Sequence, residues 1–118
     1  MVRVRKAIES LYDDVCTITT REEFEKENGS IGFRDVIKVE NEPCKISFGT
    51  KTSTKKGEVA ASVSQLVELF IRPDLEIPPG SKITVTHQGV TTDYTKSGVA
   101  ATYATHQEII LELFERWS

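Results

Sequence analysis

The chain has 118 residues, 38% hydrophobic and 28% charged, with eighteen acids against fifteen bases and a net charge of −3. That suits one folded domain spanning 1–118, large enough to bury a core without disulfides or metals, and excludes a broadly basic nucleic-acid binder. No apolar run approaches the roughly 20 residues of a membrane helix, and no apolar stretch follows the basic start Arg3–Lys6, so a soluble protein made inside the cell, away from membranes, is expected.

Val (11), Ile (10) and Thr (13) outnumber Leu and Ala, at six each. β-Branched side chains suit pleated, half-buried surfaces and lose rotamer freedom in helices. A mainly β protein follows.

In chain order, Val4, Ile8 and Leu11 stand at helical spacing and predict a short amphipathic N-terminal helix over 3–11. A strand over 15–20 comes next, with Cys16 and Ile18 on one face. The charged stretch 21–32 reads as a loop that includes Asn28-Gly29, a hairpin-tip pair. Ile37 and Val39 then share a face, Asn41-Glu42-Pro43 interrupts, and Cys44, Ile46 and Phe48 resume the alternation.

Residues 49–65 have no large apolar side chain before Val59, and read as a long inserted loop. A dense apolar strand covers 66–71, and Pro79-Gly80 suits the centre of a type II turn. The clearest hairpin follows: a Gln88-Gly89 tip sets His87 against Val90, Val85 against Thr92 and Ile83 against Tyr94. Segment 107–117 fits a strand through Ile109, Leu111 and Leu113, or a helix through Ile109, Ile110, Leu113, Phe114 and Trp117. Six or seven strands of this kind predict a small antiparallel β-barrel or sandwich.

The residues that carry chemistry form no constellation. Cys16 and Cys44, with His87 and His106, lack the spacing of a zinc site or of a Cys-His nucleophile. Both cysteines are expected buried and reduced, and His87 is expected structural. Asp13-Asp14 and Glu22-Glu23 read as solvated charges, and there is no Gly-rich phosphate loop or nucleophile elbow. No catalytic residue, metal or cofactor is expected, and the chain reads as a non-enzyme.

Several segments in order resemble a known family: Arg5-Lys-Ala-Ile-Glu-Ser-Leu-Tyr, then Asn41-Glu-Pro-Cys-Lys-Ile-Ser-Phe, Val67-Glu-Leu-Phe-Ile-Arg-Pro-Asp, Ile77-Pro-Pro-Gly-Ser-Lys-Ile-Thr-Val-Thr and Tyr103-Ala-Thr-His-Gln-Glu-Ile-Ile-Leu-Glu-Leu-Phe-Glu-Arg-Trp. The chain is similar to the head-tail connector proteins, also called head-completion or stopper proteins, of siphophages and prophages of Gram-positive bacteria. The resemblance covers nearly all but 21–33 and 49–65.

It implies a homo-oligomeric ring at the head-tail junction of the virion, assembled in the host cytoplasm. Such a ring continues the portal channel, retains packaged double-stranded DNA, and meets portal or adaptor proteins above and tail or tail-terminator proteins below. It also implies that a long loop points into the channel. Here that loop is 49–65, with Lys51, Lys55 and Lys56 facing phosphates, and with Thr50, Thr52 and Thr54 suited to strand pairing between neighbouring loops. The plain alternative is a solvated tip.

Two rival readings stand beside this one. A tail terminator or other neck protein would share the fold. A small-barrel nucleic-acid binder would need exposed aromatics on a basic face, whereas Phe48, Phe70 and Tyr94 are expected on or near the core. Polar strand faces further predict a free subunit that associates weakly.

Overall fold

A computed structural model of the chain describes residues 11–53 and 62–117. Six strands follow in order: β1 (Asp14–Glu25), β2 (Ile31–Ser53), β3 (Ser62–Ile71), β4 (Lys82–His87), β5 (Val90–Thr102) and β6 (Gln107–Leu113). They close into an antiparallel barrel in the circular order β1-β2-β3-β6-β5-β4. No helix occurs among the described residues. The helix predicted over 3–11 lies outside them except for Leu11, which sits exposed in a turn.

The interior follows from period-2 alternation. Cys16 and Ile18 on β1, Cys44 and Ile46 on β2, and Val67, Leu69 and Ile71 on β3 point inward. Ile83 and Val85 on β4, Tyr94 on β5, and Ile109 and Leu111 on β6 complete the wall lining, and Ile77 enters from the β3–β4 connection. Burying each of the larger aliphatic side chains contributes about 1.5–3 kcal/mol. Both cysteines are buried and free, as expected. The hydrogen bond with Cys16, burial, and the nearby Cys16 thiol and carboxylates of Asp14 and Glu42 hold the Cys44 thiol far above its ordinary pKa, so it stays protonated.

Turn chemistry fixes the connections. The β4–β5 register pairs His87 with Val90, Val85 with Thr92 and Ile83 with Tyr94, as predicted. Gln88 and Gly89 both have positive φ, which a two-residue hairpin turn of this type requires. Ser81 N–H donates to the Pro78 carbonyl at 3.2 Å around Pro79-Gly80, with Gly80 at φ 80°, closing the predicted type II turn. Buried Gln107 donates to the carbonyls of Arg72 and Leu75 at 2.9 and 2.6 Å, and Lys96 donates to that of Ile77 at 3.1 Å. These bonds tie the β3–β4 connection to the barrel.

Four expectations are corrected. Segment 21–32 is mostly strand: β1 runs to Glu25, and only the turn to Ile31, with Asn28-Gly29 in it, is loop. The Asn41-Glu42-Pro43 interruption is a bulge within one 23-residue strand, with Asn41 at φ 53°. A second irregularity sets Lys38 out of register and separates Ile37 from Val39, which were expected on one face: Val39 packs against the core, and Ile37, beyond the shift, is exposed. Phe48 is also exposed, where β2 leaves the barrel. The 107–117 ambiguity resolves as strand to Leu113. Phe114 and Trp117 beyond it pack edge to face, and the Lys82 ammonium lies 5.6 and 5.8 Å from their ring centres.

Two ribbons project from the barrel. β1 pairs β4 only as far as Thr19, but β1 and β2 stay paired from Thr20↔Val36 out to Glu25↔Ile31. At the other end of β2, its ladder with β3 continues past the last β3–β6 pair, from Gly49↔Leu66 to Ser53↔Ser62. The arms therefore leave from opposite ends of β2. The radius of gyration is 17.2 Å, against about 13–14 Å for a compact chain of this length.

Candidate functional site

The β2–β3 arm carries the residues singled out in the sequence. Thr50 pairs with Gln65, Lys51 with Ser64 and Thr52 with Val63, in unbroken antiparallel register. Thr50 is exposed. Thr54, Lys55 and Lys56 lie outside the described residues. The expected loop over 49–65 is thus strand from both ends, and its structure is supplied by β-branched and small polar residues that pair across the ladder rather than by a core.

A polar cluster holds the root of this arm. Asp14, read in the sequence as a solvated charge, is buried. One of its carboxylate oxygens accepts the Ile46 N–H at 2.9 Å, and the other meets His87 Nδ1 at 2.7 Å. One side chain on β1 thereby clamps β2 and the end of β4. The His87 ring stands edge-on to Phe48, centroids 5.7 Å apart. A cavity of about 250 Å³, lined by Ile46, Phe48, Val85, His87, Val90 and Tyr94, opens beside it. His87 thus lies part-buried at the end of the hairpin, held by Asp14.

Sequence reasoning missed Asp14 and Gln107, although a signal was present. Asp14 is in phase with Cys16 and Ile18, and Gln107 with Ile109 and Leu111, so alternation already placed both inward. Among the described residues no group of three or more His, Cys, Asp or Glu side chains is arranged to hold a metal. His106 instead bonds Glu108 through Nε2 at 3.0 Å and stacks on Tyr103.

What the fold and the arms define is a closed six-stranded antiparallel barrel with a long two-stranded ribbon at each end of one strand. No protein-family model matches the sequence, and no curated protein is similar to it. Among solved structures it is similar to the phage-like element PBSX protein xkdH from Bacillus subtilis, over 85% of this chain and 93% of that one. The TM-score is 0.51 and the identity 11%, so the likeness is one of fold.

Proposed function

We propose that the chain is a structural subunit of a phage or prophage particle, a head-tail connector that forms a ring below the portal and retains packaged DNA. The β2–β3 arm carries this reading. The ribbon that leaves the barrel carries Lys51, and the sequence between its two strands adds Lys55 and Lys56, positive charges on an otherwise acidic subunit. In a ring, arms repeated around the axis bring those charges to duplex phosphates. Threonine-rich strands from adjacent arms pair and narrow the hole. The shared fold with a phage-like element protein supports the assignment to a phage particle, and the ordered segment resemblance supports the connector role. No catalytic step or cofactor belongs to this reading, and its partners are the portal or adaptor above, the tail proteins below and the DNA within.

The arm's register supplies a clean test. Ser53 and Ser62 stand directly opposite each other, so residues 54–61 can be replaced by a two-residue Asn-Gly turn without disturbing a pair. The barrel is expected to fold and mount on heads, and particles carrying the shortened arm are expected to release their DNA. Particles that keep their genome as well as the parent would make the arm a solvated tip.

A further inference from the structure

We propose that the cavity beside His87, at one end of the barrel, binds a phenol: a flat apolar ring that carries one hydroxyl donor. The inference is independent of the ring reading, which makes no use of this cavity.

The strand ends place the cavity. Asp14 begins β1, His87 ends β4 and Val90 begins β5, and the β1–β4 and β4–β5 ladders bring all three to the barrel end from which the β2–β3 arm leaves. Ile46, Phe48, Val85 and Tyr94 supply apolar walls. Phe48 and Val90 are 48% and 63% exposed, so the opening is itself apolar and faces solvent.

One polar group in that lining is fixed both in direction and in kind. Asp14 is buried and its carboxylate only accepts hydrogen bonds, so the 2.7 Å contact assigns the proton to Nδ1 of His87. In the neutral imidazole of that tautomer, Nε2 is a lone-pair acceptor. It lies on the side of the ring away from Asp14, and no described residue donates to it. The other Asp14 oxygen accepts the Ile46 N–H at 2.9 Å, which keeps the carboxylate from turning and the imidazole from swinging free.

Size and chemistry select the ligand. A cavity of about 150 Å³ lined by aliphatic and aromatic side chains is enough for benzene, and this one holds about 250 Å³. A benzene ring with a hydroxyl therefore fits. Phe48, edge-on to His87 with centroids 5.7 Å apart, and Tyr94 offer rings for edge-to-face or offset contact. A ring without a donor displaces water from Nε2 and leaves it unpaired. An aliphatic alcohol brings the donor but forgoes the ring contacts. The same group can arrive as a free small phenol or as the tyrosine side chain of a partner protein.

The test uses the full chain and p-cresol, read on the methyl NMR signals of Ile46 and Val85. Saturable shifts confined to the cavity are expected at millimolar concentration, as suits so small a ligand. Toluene, which lacks only the hydroxyl, is expected to bind about tenfold more weakly, the weight of one hydrogen bond. His87→Leu is expected to erase that difference. Val90→Trp, a change at an exposed position, is expected to abolish p-cresol binding while the rest of the methyl spectrum is kept, and it decides the matter should His87→Leu not fold. N-acetyltyrosinamide separates the sources: binding as tight as p-cresol assigns the cavity to a partner's tyrosine, and its exclusion while p-cresol binds assigns it to a free phenol. Absence of saturable shifts, equal affinity for toluene and p-cresol, or p-cresol binding that survives Val90→Trp would overturn the proposal.

Discussion

Replacing Asp14 by alanine is expected to destabilise the barrel by about 1–3 kcal/mol, the usual cost of leaving a buried donor without its acceptor. The carboxylate satisfies two groups at once, the Ile46 N–H and His87 Nδ1. Alanine leaves a buried strand N–H without its acceptor and leaves the part-buried imidazole to bond water, and the gain of a methyl group does not offset that. The neighbouring Asp13 is the internal control. Its side chain is 70% exposed and meets Lys45 at 3.8 Å, so Asp13→Ala is expected to cost no more than about 1 kcal/mol. Urea unfolding of both variants measures the difference. Equal shifts would mean that Asp14 does not hold three strands together.

Leu69→Ala is expected to cost about 2–5 kcal/mol, whereas Ile37→Ala should stay within about 0.5 kcal/mol of the parent in the free subunit. Leu69 has no solvent exposure and sits in the last half of β3, where the strand is paired on both sides, facing the interior with Ile46 and Ile109 as its register neighbours. Truncation there opens a cavity in a wall that hydrogen bonds hold on both sides, so the site cannot collapse to fill it. Ile37 lies past the Lys38 irregularity, on the projecting arm, and is 57% exposed. The contrast in urea midpoint locates where the barrel ends and the arm begins. A large loss at Ile37 would show that the arm face is covered within the monomer.

The barrel was legible wherever alternation ran unbroken. Cys16, Ile18, Ile83, Val85 and Tyr94 all land inside, and the β4–β5 register follows from a two-residue turn whose φ values only a few residue types accept. It became illegible where β2 bulges. Asn41 and Lys38 each add a residue opposite β1 and reset which side chains face the core, and no local pattern announces such a shift before the partner strand is known. The arms were hidden for a different reason. Residues such as Glu22-Glu23 and Lys51–Ser53 are charged or small and carry no hydrophobic period, yet they extend as strands because each ribbon grows from a ladder already nucleated in the barrel. Of the candidate site, the sequence placed the lysines of 49–65 in a segment without a core; that 49–53 and 62–66 pair as a ribbon rooted beside the Asp14–His87 clamp required the third dimension.

The central claim, a ring that joins heads to tails and holds DNA, is tested most directly by inactivating the gene in the phage or prophage that encodes it and examining the particles by electron microscopy with an assay for packaged DNA. The account predicts heads that have packaged and then lost their DNA, together with complete but separate tails, and restoration of joined, filled particles when the parent protein is supplied in trans. Joined particles that retain their genome in the absence of this chain would contradict it.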